Sequence, residues 1–217
     1  MKTFFFDLDG TLCDSRPGLV HATKAAFAAL GIETETDPAE FIGMPLPAIF
    51  RTFLPDLDEI DVAYGIGKFR EDYDAVGVFQ SPLYPGAAAM LATLKENGRA
   101  VWLATSKPHR YAELILKNVD VARYFDGVTG AGLAEGETKE TIVAKALSDS
   151  GAAARDSLLL GDRAFDVVGA LKCGIRPVGA LWGYGTREEL TEAGCADFAA
   201  TVADFSARFA AKPASSV

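Results

Sequence analysis

The sequence is poor in the residues on which several kinds of functional site depend. Of its 217 residues, two are histidine and three are cysteine. Zinc sites are usually built from several histidines or from closely spaced cysteine pairs, and neither is present. A small and odd number of cysteines is typical of a reducing compartment, so we expect a cytoplasmic protein. A Ser-His-Asp mechanism would have to use His21 or His109, whose surroundings favour surface or helix-start positions instead.

Long apolar runs and clusters of positive charge are lacking as well. No stretch approaches the roughly 20 apolar residues of a membrane-spanning helix, and Asp7 interrupts the apolar start too early for a signal peptide. The net charge is −9 and no lysine- or arginine-rich run occurs, so the overall field repels a polyanion such as DNA. We therefore expect neither a membrane nor a nucleic acid as a partner. A small phosphorylated molecule fits if the site itself supplies positive charge.

Short apolar runs alternate with longer segments of helical period. This pattern predicts an α/β fold in which β-α units form a parallel sheet. The runs are continuous rather than alternating, as in strands that are covered on both faces. The predicted strands are residues 3–7, 100–105, 125–130, 157–161 and 177–181. The predicted helices among them are residues 85–98, 137–151, 164–174 and 186–194.

The segment from residue 15 to residue 84 departs from this alternation. Its periodicity is helical throughout, and the predicted helices are residues 16–31, 45–54 and 58–77. A helical insert after the first strand is best interpreted as a cap domain over the carboxyl edge of the sheet. We therefore predict a core domain of residues 1–14 and 85–217 and a cap domain of residues 15–84. The end of the chain, AAKPASSV, is expected to be frayed.

Two aspartates follow the first predicted strand in the run TFFFDLDGT. Asp7 and Asp9 stand two residues apart, so their side chains leave the backbone in similar directions. Ligands of open α/β sheets bind at the carboxyl ends of the strands. Two carboxylates this close hold either a proton or a cation, and Mg²⁺ is a hard divalent ion that prefers oxygen ligands. The alternative is that both are turn residues, as Asp-Gly often is.

Two later strands also end in polar residues. In VWLATSKP, Thr105 and Ser106 precede a predicted helix start at Pro108, a setting that suits a phosphate, although Ser106 would also serve as a helix cap. In LLLGDRAFD, Asp162 can complete an oxygen cage for a cation and Asp166 can support it, or both can favour the helix dipole. These strand ends together supply a nucleophile, metal ligands and holders of phosphoryl oxygens.

The motifs DLDGT, ATSKP, Lys139 and GDRAFD, in this order, resemble the four motifs of the haloacid dehalogenase superfamily, which consists mostly of Mg²⁺-dependent phosphatases. The resemblance covers nearly the whole chain and implies a Rossmann-like, doubly wound sheet with a helical cap of the C1 type. FIGMPL, FREDY, YPG and LWGYG are similar to the phosphoglycolate phosphatase and 5′-nucleotidase-like branch. GLAEGET lacks the arginine-containing turn of the closest nucleotidase-like members, which leaves the substrate open.

The resemblance implies roles for the matching residues. Asp7 would be the nucleophile that forms an aspartyl-phosphate, and Asp9 would be the general acid and then the general base. Thr105 and Lys139 would hold the phosphoryl oxygens, with Ser106 beside them. Lys139, which by itself would be taken for an ordinary surface lysine, would also keep Asp7 ionised.

The implied cofactor is Mg²⁺. Its ligands would be the side chain of Asp7, the backbone carbonyl of Asp9 and the side chain of Asp162. Asp166 would support this set. The implied substrate is a small phosphorylated metabolite of the phosphoglycolate or nucleoside monophosphate type.

Arginines of the cap are the candidates for selecting the substrate. Arg16, Arg51 and Arg70 could pair with a carboxylate or a second phosphate, since arginine binds both groups through two hydrogen bonds. Arg70 is preferred because Tyr73 lies at i+3 on the same helix face.

Other functions on the same fold stay open. A sugar-phosphate mutase shares this site, and a non-catalytic protein that binds a phosphorylated ligand is the alternative from another class. A 2-haloacid dehalogenase fits less well because it needs neither the metal nor Asp9. A phosphonate hydrolase with a cap Schiff base, on Lys24 or Lys68, fits less well because that branch lacks the second aspartate. Monomer and homodimer are equally compatible with the sequence.

Overall fold

The computed structural model describes residues 2–42, 46–132 and 137–210. The chain divides into two compact units, Met1–Asp14 with Leu83–Val217, and Ser15–Pro82. Three segments noted in the sequence fall wholly or partly outside the described residues, namely 43–45 of FIGMPL, 133–136 of GLAEGET and the chain end, 211–217.

The first unit is built on a six-stranded sheet in the order β3-β2-β1-β4-β5-β6. Its strands are β1 (Thr3–Phe6), β2 (Ala100–Pro108), β3 (Gly127–Ala131), β4 (Ser157–Gly161), β5 (Arg176–Ala180) and β6 (Phe198–Ala199). Every neighbouring pair is parallel. The chain builds the sheet outward from β1 in one direction and then from β4 in the other, which is the doubly wound arrangement. The predicted fold class is therefore confirmed.

Helices cover both faces of this sheet. They are α4 (Ala87–Glu96), α5 (His109–Asn118), α6 (Lys139–Ser150), α7 (Ala164–Lys172), α8 (Arg187–Glu192) and α9 (Val202–Phe205), followed by a π-helical turn at Ser206–Ala210. Along β1, Phe4 and Phe6 contact the ring of Phe205 edge-on. Phe5 points the opposite way and packs with Ile142 and Ala170 of α6 and α7. This alternation explains why three consecutive phenylalanines are buried.

Several element ends differ from the sequence prediction. Strand β1 ends at Phe6, so Asp7 follows the strand instead of closing it. Strand β2 continues through Pro108, where a helix start was predicted, and its pairing with β3 shifts register between Thr105 and Pro108. Pro108 has ψ 132°, an extended conformation, so α5 begins one residue later.

The boundary of the inserted segment also falls earlier than residue 84. Leu83 pairs with Cys13 in an antiparallel bridge, and the Tyr84 N–H donates to the Leu12 carbonyl. These bonds tie both residues to the loop after β1, which explains why they belong to the first unit.

The second unit consists of helices, with no strand among its described residues. Its helices are α1 (Arg16–Leu30), α2 (Leu46–Phe53) and α3 (Glu59–Ala75). Phe27 of α1 contacts Phe50 and Phe53 of α2 edge-on. A Cβ added at Gly18 would lie 1.9 Å from the Gly77 carbonyl oxygen, so glycine is required where these two backbones meet. Across the described residues of the chain, no helix is both long enough and apolar enough to cross a bilayer.

Candidate active site

Carboxylates gather at the edge of the sheet where β1, β2 and β4 end. Asp7 follows β1, Asp162 follows β4, and Asp166 lies in the first turn of α7. Because neighbouring parallel strands end at the same edge, the three side chains converge. Each offers one oxygen, and these oxygens lie within 4.8 Å of one another. All three residues are buried. The structure therefore brings together three of the aspartates that the sequence predicts as metal ligands.

Lys139 is the cation inside this cluster. As the first residue of α6, it follows Thr138, whose hydroxyl caps the helix. Its Nζ donates to Asp7 Oδ1 at 2.7 Å and lies 2.7 Å from Asp166 Oδ1. The side chain is only 2% exposed. Burial lowers the pKa of the ammonium group, but the charges of Asp166 and Asp7 outweigh burial and hold the pKa above its usual value. Lys139 is therefore charged at neutral pH.

Asp166 keeps one oxygen without a hydrogen-bond donor. Its Oδ2 accepts the Arg163 N–H at 3.0 Å. The contact of Oδ1 with Lys139 is an ion pair that lacks hydrogen-bond geometry, so within the described residues Oδ1 receives no hydrogen bond. Burial raises the pKa of Asp166 to about 6, although Lys139 acts in the opposite direction. A buried carboxylate oxygen in this state is a natural ligand for a metal ion or an ordered water.

Asp162 receives its hydrogen bonds from neutral groups. The Thr11 hydroxyl donates to Oδ1 at 2.8 Å, and the Tyr184 N–H donates to Oδ2 at 2.8 Å. Burial is the main cause that raises the pKa of Asp162 to about 8, and the charges of Asp166 and Asp7 add to it. In the absence of a bound cation, the structure therefore disfavours ionisation of this carboxyl group.

Glycines allow the backbone to close around Asp162. Gly10 has φ +79°, and a Cβ there would lie 2.2 Å from Asp162 Oδ2. A Cβ on Gly183 would lie 2.3 Å from Asp162 Cβ, and one on Gly185 would lie 2.0 Å from its carbonyl oxygen. Real Cβ atoms essentially never approach other atoms so closely. The LWGYG stretch, noted in the sequence only as a family feature, thus packs directly against Asp162. We call these three residues the glycine cradle.

Asp9 pairs with a second lysine, Lys107. Lys107 Nζ donates to Oδ1 at 3.0 Å and to Oδ2 at 2.9 Å. The lysine side chain is 5% exposed and the aspartate side chain 26%. No role was predicted for Lys107 from the sequence, so this contact was missed. The available signal was its i+2 spacing from Thr105 in an extended segment, which places both side chains on one side of the strand.

The other predicted site residues differ in their exposure. Thr105 is buried at the edge, and its hydroxyl accepts the Lys107 N–H at 3.2 Å. Ser106 is exposed. Arg70 lies in the second unit as an exposed residue of α3, whereas Tyr73 is buried and stacks on Phe69. The i+3 spacing of Arg70 and Tyr73 therefore does not give them a common exposed face.

The charges at this edge do not balance. Asp7, Asp9, Asp162 and Asp166 bring four carboxyl groups to the edge, beside the ammonium groups of Lys107 and Lys139, so full ionisation of these aspartates would leave an excess of negative charge. Buried like charges repel strongly, and a divalent cation is the simplest way to offset the excess. The ligands on offer are all oxygens, which suits a hard ion such as Mg²⁺.

Comparison with known proteins points to one family. A family model described as haloacid dehalogenase-like hydrolase matches residues 4–180. The chain is 34% identical over 204 residues to a 5′-nucleotidase of Pseudomonas aeruginosa, covering 90% of this chain and 91% of that protein. It is 29% identical over 200 residues to a phosphoglycolate phosphatase of Pseudomonas fluorescens, covering 88% and 73%. A haloacid dehalogenase-like family hydrolase from Streptococcus pneumoniae has a similar structure, with a TM-score of 0.86 at 28% identity and coverages of 96% and 98%.

Proposed function

Since the chain belongs to the haloacid dehalogenase-like hydrolase family and is a phosphatase, we propose that it hydrolyses phosphomonoesters with Mg²⁺ through an aspartyl-phosphate. The family inferred from the four motifs is confirmed. One observation carries the finer proposal: the Asp7 carboxylate lies 2.7 Å from the Lys139 ammonium and beside two further buried carboxylates. This arrangement supplies a carboxyl nucleophile beside a cationic side chain, together with oxygen ligands for a metal ion, where β1 and β4 end.

In the proposed first step, Asp7 attacks phosphorus. A bond forms between a carboxylate oxygen of Asp7 and phosphorus while the bond from phosphorus to the ester oxygen breaks. Lys139, whose ammonium group donates to Asp7, stabilises the negative charge on the phosphoryl oxygens. The Thr105 hydroxyl, buried at the same edge, would hold one of these oxygens.

Asp9 would move the protons. It gives its proton to the departing ester oxygen, which leaves as a neutral alcohol. It then takes a proton from the water that attacks phosphorus, the bond to Asp7 breaks, and inorganic phosphate is released. At the end Asp7 is again a carboxylate and Asp9 is again protonated, so the cycle is complete.

The residues present fit a magnesium ion. The carboxylates of Asp7 and Asp162 would hold it together with the backbone carbonyl of Asp9, and Asp166 would support them. Two observations support this assignment: Oδ1 of Asp166 receives no hydrogen bond within the described residues, and the glycine cradle encloses Asp162. When bound, the ion would neutralise the clustered carboxylates and draw electrons from the phosphoryl group.

The proposed substrates are small phosphorylated metabolites. Relatives named 5′-nucleotidase and phosphoglycolate phosphatase suggest a nucleoside monophosphate or phosphoglycolate as the first esters to test.

The test is release of inorganic phosphate from phosphoglycolate, nucleoside monophosphates and sugar phosphates, with Mg²⁺ or with EDTA. We expect metal-dependent release and a loss of about 10³-fold or more in Asp7→Asn. Asp149→Asn, which changes an exposed aspartate of α6, is the control and should keep full activity. Release that survives both EDTA and the Asp7 substitution would contradict the proposal.

A further inference from the structure

We propose that Lys107 is a positioning residue that holds the Asp9 carboxyl group for proton transfer to the leaving oxygen. This inference rests on the proposed function, because it takes Asp9 as the general acid. Lys107 acts through Asp9 and needs no contact with the reacting atoms. Its effect should therefore depend on how much the leaving group needs a proton.

The contact between the two residues fixes the orientation of the acid. One ammonium group donates to both oxygens of Asp9, at 3.0 and 2.9 Å, so rotation of the carboxyl plane would break at least one bond. A single contact to one oxygen would leave that rotation free. The Asp9 side chain is 26% exposed and the Lys107 side chain is 5% exposed. The carboxyl group of Asp9 can therefore reach a ligand while Lys107 stays buried.

The backbone around Lys107 is itself held in place. Its N–H donates to the Thr105 hydroxyl at 3.2 Å. The pairing of β2 with β3 shifts register in this stretch, and a Cβ on Gly130 would lie 2.8 Å from the Lys107 carbonyl oxygen. Such close packing limits how far Lys107 can move. A general acid gains rate only when its proton lies within hydrogen-bond reach of the leaving oxygen.

The two lysines of the edge therefore have separate tasks. Lys139 contacts Asp7 and Asp166, whereas Lys107 contacts Asp9. As the proton leaves Asp9, negative charge develops on its carboxylate, and the ammonium group at 2.9 Å stabilises that charge. A good leaving group departs without a proton, so in this first step its ester gains nothing from the pair; the later attack of water is the same for every ester.

The experiment compares two esters whose leaving groups differ in how much they need a proton from a general acid. p-Nitrophenyl phosphate has a good leaving group, and phosphoglycolate has a poor one. We expect Lys107→Met to lower kcat/KM on phosphoglycolate by about 10²-fold or more, and to lower kcat/KM on p-nitrophenyl phosphate by less than about fivefold. This ratio is the quantity to compare because it ends at departure of the leaving group, whereas kcat also contains the attack of water on the aspartyl-phosphate, which both esters share. Asp9→Asn should show the same selectivity, and the double variant should lose no more than Asp9→Asn alone.

The chain offers a matched control in Lys95. This lysine also donates to both oxygens of an aspartate, Asp126, at 2.6 and 2.7 Å, but Asp126 precedes β3 at the opposite edge of the sheet. Lys95→Met should leave both rates unchanged. Lys107→Arg keeps the positive charge if methionine prevents folding, and its loss should again be confined to phosphoglycolate.

Two results would overturn the inference while the wild type is active. Equal losses on both esters would show that Lys107 binds the phosphoryl group or only maintains the fold, and unchanged rates on both would show that Asp9 needs no holder. A folded wild type that hydrolyses neither these two esters nor any other phosphomonoester would instead overturn the proposed function and this inference together.

Discussion

The two edges of the parallel sheet carry their charges in opposite ways. At the amino edge, Asp126 and Asp197 stand just before β3 and β6. Asp126 pairs with Lys95, and Asp197 pairs with Arg176 and Arg208. Side chains of these three cations are between 30% and 49% exposed. Each of these two aspartates has at least one cation, and water screens the pairs.

At the carboxyl edge the lysines are buried and outnumbered. Lys107 pairs with Asp9 and Lys139 pairs with Asp7 and Asp166, whereas Asp162 has only neutral donors among its described hydrogen bonds. Exposed pairs contribute about 0–1 kcal/mol to stability, whereas breaking a buried pair costs about 3–5 kcal/mol. The comparison teaches that the same residue types stabilise little at one edge and create a demand for a cation at the other.

Among the variants proposed here, Lys139→Met should have the largest effect on stability, because it removes the cation of a buried pair at the carboxyl edge. The substitution leaves the carboxylates of Asp7 and Asp166 buried without their cation. We expect the metal-free protein to lose about 3–5 kcal/mol of unfolding free energy at neutral pH, measured by urea denaturation. Lys145→Met removes an exposed lysine from the same helix and is the control. If Lys139→Met lost less than about 1 kcal/mol of unfolding free energy, as expected for an exposed pair, the two edges would not differ in the way proposed.

Stability of the metal-free protein should fall as pH rises. The pKa of Asp162 is raised to about 8 in the folded protein. Between about pH 4 and that value, the folded state keeps a proton that the unfolded chain has released. Over this range, the Asp162 carboxyl group therefore lowers the free energy of unfolding by at most about 1.4 kcal/mol for each unit of pH increase. Asp166, with a pKa of about 6, acts with the same sign over a shorter range.

Bound Mg²⁺ should remove this slope, because both carboxylates are then ionised in the folded state. Urea unfolding between about pH 5 and about pH 8, in EDTA and in Mg²⁺, measures the difference. The two stability curves should diverge as the pH rises. Parallel curves would argue against a cation beside Asp162.

Glu189→Gln tests a pair of intermediate burial. Oε1 of Glu189 accepts the Arg163 Nε–H at 2.9 Å and the Ala164 N–H at 2.8 Å, which holds the start of α7 and thereby Asp166. Burial alone raises the pKa of Glu189, but the hydrogen bonds from Ala164 and Arg163 outweigh it, so the pKa is lowered. We expect about a tenfold weaker Mg²⁺ affinity, with kcat near normal at saturating metal.

Isothermal titration with Mg²⁺ gives this affinity directly. Glu188→Gln alters the exposed neighbour in the same helical turn and should bind the metal normally. Equal Mg²⁺ affinity in both variants would show that the start of α7 needs no such support.

Of these variants, Lys95→Met should change stability and activity the least. Its pair with Asp126 is partly exposed, so we expect a change of less than about 1 kcal/mol in unfolding free energy and no change in phosphatase rate. Thermal unfolding and phosphate release measure the two quantities. A loss comparable to that of Lys139→Met would mean that the two edges do not differ.

The sheet and the converging carboxylates could be predicted because short stretches of sequence indicate them. The continuous apolar runs mark strands covered on both faces, and Asp7 and Asp162 directly follow such runs. The parallel order of the strands then brings their ends together. Strand β6 was missed because two residues carry no periodic signal.

Partners across the chain could not be predicted in the same way. The sequence does not say which lysine meets which aspartate, since Lys107 and Asp9 are 98 residues apart. The pairing of β2 with β3 also shifts register in the same stretch, between Thr105 and Pro108, a feature that residue types do not encode locally. The glycine cradle escaped prediction for a similar reason, because Gly183 and Gly185 approach Asp162 only in the folded chain.

The glycine cradle also limits how this protein can be redesigned. Asp162 is enclosed by main chain at positions where no side chain fits, so no library at Gly10, Gly183 or Gly185 can adjust its surroundings in small steps. A change of ion preference must therefore come from the carboxylates themselves or from the hydroxyl of Thr11. The main chain at these three positions thus determines where this aspartate lies.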